Sequence, residues 1–220
     1  SENVIATWVA DVDANVVTQS DKYTSGDGIM AGWNKAGYVK MREEGKQVTL
    51  FNFGASDEKS YDDKAYKIVI DYSYYQKSEF VYNEKSGNYD RYQTVSYNRS
   101  AQVDSMGTDE TSDDIALNYK NVIIQYVKKT NLINSDGTVD KEGRQEIATI
   151  SSGEGLYITN GTYTPIKWSK KDIYEPTQYT DLAGNKIELN RGKTWISLVA
   201  SPDDVVITSV NESVVSEGGT

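Results

Sequence analysis

At 220 residues the chain is long enough to bury a sizeable core, in one large domain or two modest ones. Asp and Glu number 33 against 23 Lys and Arg, a formal net charge of −10, and no basic stripe interleaves with aromatics, which argues against nucleic acid and anionic membrane as partners. Cys and His are both absent, which excludes thiol nucleophiles, disulfides, imidazole-based triads and thiolate or imidazole metal sites, and leaves acid–base chemistry to Asp, Glu, Lys or Tyr.

The first apolar segment, ENVIATWVADVDANVV, predicts a buried strand from Val4 to Ala10 that runs into a polar turn. SGDGIMAGWNKAG predicts a short helix: Ser25 or Asp27 caps its start, Ile29, Met30 and Trp33 share a face, and Gly37 ends it. QVTLFNFG and AYKIVIDYS then read as strands on either side of the acidic loop GASDEKSYDDK.

Beyond residue 65 nearly every segment has strand character. SEFVYN and YDRYQTVSY form a hairpin around Ser86-Gly87-Asn88. NVIIQYVKKTNLI reads as one long strand, and Asp136-Gly137 marks the turn after it. In LYITNGTYTPIKW two strands flank Asn160-Gly161, a pair that tolerates the positive φ of a two-residue turn. DLAGNKIEL turns at Gly184-Asn185, and KTWISLV and DVVITSV finish the sheet.

The fold class expected is α+β and strand-dominated. Residues 1–64 read as the C-terminal part of a first α/β domain, 65–215 as a β-rich hairpin domain, and 216–220 as a tail. Trp168 and Trp195 are the expected core anchors of the second domain, with Trp33 docking the helix and Trp8 the first strand. No run approaches the ~20 apolar residues of a membrane span, and no basic-then-apolar signal segment opens the chain, so any targeting sequence is expected to have been removed or to lie upstream.

Six features could carry chemistry. The stretch DSMGTDETSDD, Asp104 to Asp114, is dense in acids, but they do not alternate as calcium ligands do, and Gly107 is misplaced for the sharp turn. NLINSDGTVDKE fails the same test, because Gly137 at the turn puts Leu132 at the first ligand position. No metal site is expected, and the acidic stretch reads as a solvated connection. Tyrosine is abundant, 17 against three Phe, and alternates through IDYSYYQKSEFVYNEKSGNYDRYQTVSY. That pattern suits either a sugar-stacking platform, with exposed coplanar rings, or half-buried strand packing, with the rings turned inward. Arg91 and Arg99 lie near Asp90 and Asp104 and are expected to make surface cross-strand pairs. SSGEGLYI offers only G-x-G with no following helix, so a phosphate loop is rejected. The sequons at Asn98, Asn160 and Asn211 carry little weight on their own.

From residue 65 onward the segment order resembles the YerB-like bacterial lipoproteins, a two-domain family of unknown function. The resembling pieces are EFVYNEKSGNYDRY, QVDS, YKNVIIQYV, the GEG before LYITNGTYTPIKWSK, and above all IELNRGKTWISLV with Gly192-Lys193-Thr194-Trp195-Ile196. Lys22-Tyr23-Thr24-Ser25-Gly26 is similar to the end of the family's first domain. The resemblance implies a Gram-positive exported protein held at the outer membrane face by a lipidated cysteine. That anchor, the only membrane contact expected, would lie upstream of residue 1.

Where the family often carries a His-x-Asp pair, this chain has Gln102-Val103-Asp104, and glutamine exchanges no proton at neutral pH. Two functional expectations follow. The first is a non-enzymatic extracytoplasmic module that binds a cell-wall glycan or an envelope protein, with Arg91, Gln102, Asp104 and Asn121 as its polar cluster. The second is a carboxylate-based envelope hydrolase with Asp104 as the catalytic group and Arg91 or Lys193 as its electrostatic partner. Neither calls for a cofactor, and whether the chain is an enzyme is left open.

Overall fold

The computed structural model describes residues 26–37, 50–56, 59–95, 98–101, 103–104 and 115–210, with only the backbone described at 101, 103, 104, 115 and 116. The expected strand Val4–Ala10, with Trp8, lies outside these residues. Contacts divide the chain into Ser1–Val48 and Thr49–Thr220.

In the first unit the predicted helix forms over Gly26–Ala36, with Asp27 in its first turn, where a negative charge opposes the exposed N–H groups. Gly37, at φ +68°, stops it and returns its N–H to the Asn34 carbonyl at 3.1 Å. Ile29, Met30 and Trp33 share a partly exposed face, Trp33 being 37% exposed, and the helix buries none of its residues.

The second unit is built on two six-stranded sheets. The first runs Val205–Thr208, Lys67–Ser73, Gln76–Asn83, Asn88–Val95 and Asn98–Ala101, all antiparallel, and Asn118–Tyr119 also pairs with Asn88–Val95. The second runs Gln178–Thr180, Thr162–Ser169, Ser152–Thr159, Asn121–Tyr126 and Thr194–Val199, with Asp63–Lys64 beside Thr162–Ser169. Its pairs are antiparallel except Asn121–Tyr126 with Thr194–Val199, which run parallel. The chain changes sheet at Lys120, between Tyr119 in the first and Asn121 in the second.

Period-2 alternation turns Ile68, Ile70, Phe80 and Tyr89 inward from the first sheet, against Val122, Ile124, Ile158 and Val199 of the second. The opposite face of the second sheet buries a smaller core of Ile123, Tyr157 and Ile166 under Ile187 and Leu189, edged by Phe51, Tyr61 and Tyr179. Asn121–Tyr126 is therefore covered on both faces, which is why NVIIQY is buried continuously around the apolar Val122-Ile123-Ile124 and does not alternate. Trp168 is buried on the second sheet and donates its indole N–H to the Tyr126 carbonyl at 3.0 Å. Trp195 packs against the main core. Both anchors are where the sequence puts them, and the unit is strand-dominated as predicted.

Turn chemistry explains the hairpins. Asn160 and Gly161, at φ 49° and +70°, make the two-residue turn, and a Cβ on Gly161 would sit 2.9 Å from the Tyr82 ring. One expectation fails: NVIIQYVKKTNLI is not a single strand. It leaves the sheet after Tyr126, where Lys128 and Lys129 replace apolar residues, and Lys129–Asn131 pairs instead with Gln145–Ile147 in a separate arm. Residues 49–64, grouped with the first domain on sequence, give two short strands to the second unit: Asn52–Phe53 beside Glu188–Leu189, and Asp63–Lys64 beside Thr162–Tyr163. Among the described residues no helix is long and apolar enough to cross a membrane.

Candidate functional site

The polar residues singled out by sequence fall into two separate places. On the outer face of the second sheet, Asn121 is wholly buried at the start of its strand. Its amide donates to the Asn190 carbonyl at 2.8 Å and to Thr194 Oγ1 at 3.2 Å, and its Oδ1 accepts from the Tyr157 hydroxyl at 2.8 Å. The same hydroxyl accepts the Asn190 N–H at 3.0 Å. Asn190, also wholly buried, donates to the Lys59 carbonyl and to Thr159 Oγ1, both at 2.9 Å, and accepts the Lys59 N–H at 3.1 Å. Thr162 Oγ1 takes the Tyr61 N–H at 2.9 Å and donates to the Thr159 carbonyl at 2.8 Å. Both N–H groups of each asparagine side chain donate, and each Oδ1 accepts one hydrogen bond. The network clamps the 59–61 segment and the 187–194 segment onto the sheet and leaves no side-chain donor for a ligand.

Arg91 has the opposite character. It projects from Asn88–Val95 on the same face as Tyr89, into the sandwich, and is only 8% exposed. Its guanidinium carbon lies 4.2 Å from the centre of the Trp195 ring, a cation–π stack. Tyr119 and Phe80 close around that indole at centroid distances of 5.3 and 6.0 Å. Among the described residues the one hydrogen bond of the guanidinium is a long one, Nη2 to Ser78 Oγ at 3.4 Å, and the buried Nε finds no partner. Burial holds the guanidinium below its ordinary pKa, yet arginine stays charged in proteins. The expected surface pair with Asp90 is therefore corrected: Arg91 and Asp90 are neighbours in a strand and face opposite ways, and Asp90 accepts from Asn83 Nδ2 at 3.1 Å.

The other residues disperse. Arg99 forks onto Glu79 at 2.6 and 3.2 Å and stacks on Tyr92 at 3.8 Å, on the outer side of the first sheet. Lys193 has an exposed side chain, and its carbonyl accepts the N–H groups of Lys120 and Asn121. Asp104 pairs in backbone with Ile115, at the base of an excursion whose return meets the first sheet where Leu117 O accepts the Arg91 N–H at 3.0 Å. The Asp104 side chain, Gln102 and the acids from Asp109 to Asp114 lie outside the described residues. Gly192, in the family-like GKTW segment, sits at φ +143°, and a Cβ there would come 2.5 Å from Lys120 Cβ. GEG lies inside the Ser152–Thr159 strand, as its rejection as a phosphate loop requires.

The tyrosines mostly turn inward. Tyr89 and Tyr157 are fully buried, and Tyr72, Tyr82, Tyr119, Tyr126 and Tyr163 are half-buried against the main core. Burial pushes the Tyr61 and Tyr179 phenols up to about 12 and raises those of Tyr89 and Tyr157 as well. Among the described residues the most exposed aromatics are instead at turns. Tyr74 and Tyr75, 71% and 58% exposed, cap the first hairpin with rings 85° apart, and Ile173 and Tyr174 stand 69% and 88% exposed in the loop 170–177.

Register brings these tips to one end of the unit. Lys129, just past Tyr126, reaches over the ring of Tyr72 at 5.8 Å, beside the Tyr74–Tyr75 turn. Tyr126 ends its strand on the side where Gln125 faces Gly155 and Ser152 faces Ser169, from which the 170–177 loop departs.

The carboxyl groups that depart from their ordinary range are lowered. Hydrogen bonds from the Thr138 hydroxyl, Arg144 and the Asn185 amide hold Asp136, Asp140 and Asp181 down. A general acid at neutral pH needs the reverse. Among the described residues no three Asp or Glu cluster as a metal site.

The family model for the C-terminal domain of the DUF3048 proteins, whose function is unknown, matches residues 68–196. Among solved structures the chain is similar to the YerB protein from Bacillus subtilis, with a TM-score of 0.62 and 22% identity over 90% of this chain. At that identity the likeness speaks to the fold. The chain spans 59% of the YerB chain. No curated protein matches.

Proposed function

The chain belongs to the family of DUF3048 C-terminal domains, YerB-like domains of unknown function, and on that premise we propose that it is a non-enzymatic binding module of an extracytoplasmic lipoprotein, docking an envelope protein. The observation that carries this reading is the collection of Tyr74, Tyr75, Ile173 and Tyr174 at one end of the unit. Large apolar groups held out on turns, where the scaffold has a sheet interior available for aromatics, are the raw material of a contact surface. Rings set 85° apart suit an irregular protein surface better than the flat face of a sugar. The carboxylate-based hydrolase reading draws no support from Asp136, Asp140 and Asp181, whose shifts run away from proton donation.

The test is capture of envelope proteins on immobilised chain, compared with a Tyr74→Ser, Tyr75→Ser, Tyr174→Ser triple variant. The reading expects the capture of at least one defined protein to fall tenfold or more (about 1.4 kcal/mol) with melting temperature unchanged. Equal capture by both chains would count against it. So would binding of peptidoglycan fragments that the triple variant abolishes, or release of products from such fragments.

A further inference from the structure

We propose that Arg91, with Ser78 and the indole of Trp195, is a recognition site for a carboxylate carried by the docked partner. The proposal rests on the binding-module reading for its occupant, and on separate observations for its chemistry. A guanidinium presents five N–H donors in a planar fork. Among the described residues one of them reaches an acceptor, at the long distance of 3.4 Å, and the buried Nε reaches none. Buried cations in folded proteins are ordinarily paired and hydrogen-bonded. Arg91 instead rests on an aromatic face, which offsets part of its desolvation and satisfies none of its N–H groups.

Its surroundings are partly polar. Ser78 and Ser197 are buried in the same region, with Ser197 Oγ taking the Trp195 indole N–H at 2.9 Å. The register places Ser78 opposite Gln93 and Ile70, one inward position beyond the Phe80–Arg91 pair and toward the Tyr74–Tyr75 turn. The hydrogen bond to Ser78 therefore directs the guanidinium toward the end that carries the exposed aromatics.

The ligand class follows from charge and shape. A single guanidinium matches a planar monoanion two-point, as a carboxylate offers. A phosphate dianion would face one cation in a chain of net charge −10. An apolar group attached to the carboxylate would find the Tyr119 and Trp195 rings beside it.

The probe is acetate, with propionate as the longer homologue, against chloride of equal ionic strength at pH 7, read as melting temperature. Acetate should raise Tm saturably, by roughly 3–6 °C at about ten times its half-saturating concentration, with propionate at least as effective. Arg91→Met should fold and lose the increment. Equal Tm in acetate and chloride overturns the proposal, as does an increment kept by Arg91→Met or a larger one in phosphate. If Arg91→Met does not fold, Arg91→Lys keeps the charge without the fork: loss of the increment supports the site and its retention overturns it. Loss of partner capture in the tyrosine variant with full capture by Arg91→Met would leave the binding module standing and remove the carboxylate site alone.

Discussion

The Asn121–Asn190 network and the Arg91 site are both buried, both polar and both within the family-matching region, yet they are built on opposite principles. Around Asn121, Tyr157 and Asn190, each side-chain donor and each side-chain oxygen meets a partner between 2.8 and 3.2 Å, and the partners come from four stretches of chain. Around Arg91, a full charge is buried with, among the described residues, one long hydrogen bond and one orphaned nitrogen. A closed network holds segments together and has no side-chain donor left to offer a ligand. An open one costs stability, which is the signature expected of a group retained for recognition.

The sharpest way to break this contrast is to remove one member from each side. Asn190→Ala deletes an amide that makes three hydrogen bonds to Lys59 and Thr159 and strands their buried groups. It should cost about 3 kcal/mol, or roughly 6–12 °C in Tm, by thermal or urea unfolding. Next in size is Gly192→Ala, where a Cβ meets Lys120 at a positive φ; the expected loss is about 1–3 kcal/mol. Arg91→Met should leave stability unchanged or raise it by up to ~2 kcal/mol, because it relieves an unpaired buried charge. A large destabilisation there would place Arg91 with the closed network and erase the contrast.

A pH series sharpens it from another side. The buried phenols of Tyr61 and Tyr179, pushed up to about 12, hold their protons more tightly folded than unfolded. Their contribution is complete below about pH 10, the unfolded value, and is lost as pH rises from there toward 12. Tm should therefore fall across that window, with absorbance at 295 nm showing a set of phenols that ionise only on unfolding. Phenols that all titrate near 10 in the folded chain would contradict the burial that seals the outer core.

How much of this was legible beforehand follows the range of the interaction. Turn chemistry is local, so Asn160-Gly161, Ser86-Gly87-Asn88 and Gly184-Asn185 announce their turns, and the Gly26–Ala36 helix announces its C-terminal stop at Gly37. Pairing is not local: nothing in NVIIQY says that its parallel neighbour is TWISLV, some seventy residues on. The asparagine network was missed for the same reason, since Lys59, Tyr157, Thr159, Asn190 and Thr194 meet only after the sheet is assembled. Only Asn121 was singled out, and through resemblance.

On sequence Arg91 reads as a member of a surface pair, because arginine beside aspartate on a hairpin usually is one. The alternation held the corrective signal. Tyr89 and Arg91 share a face by period 2, and a face that buries Tyr89 buries Arg91 with it.

The central claim, that Arg91 is open and the asparagine network closed, is tested most directly by NMR of the side chains during an acetate titration at constant ionic strength. The account predicts that the Arg91 Nε–H resonance moves saturably while the Asn121 and Asn190 side-chain amides stay in place. An Arg91 resonance that does not move, or amides that move along with it, would contradict the account.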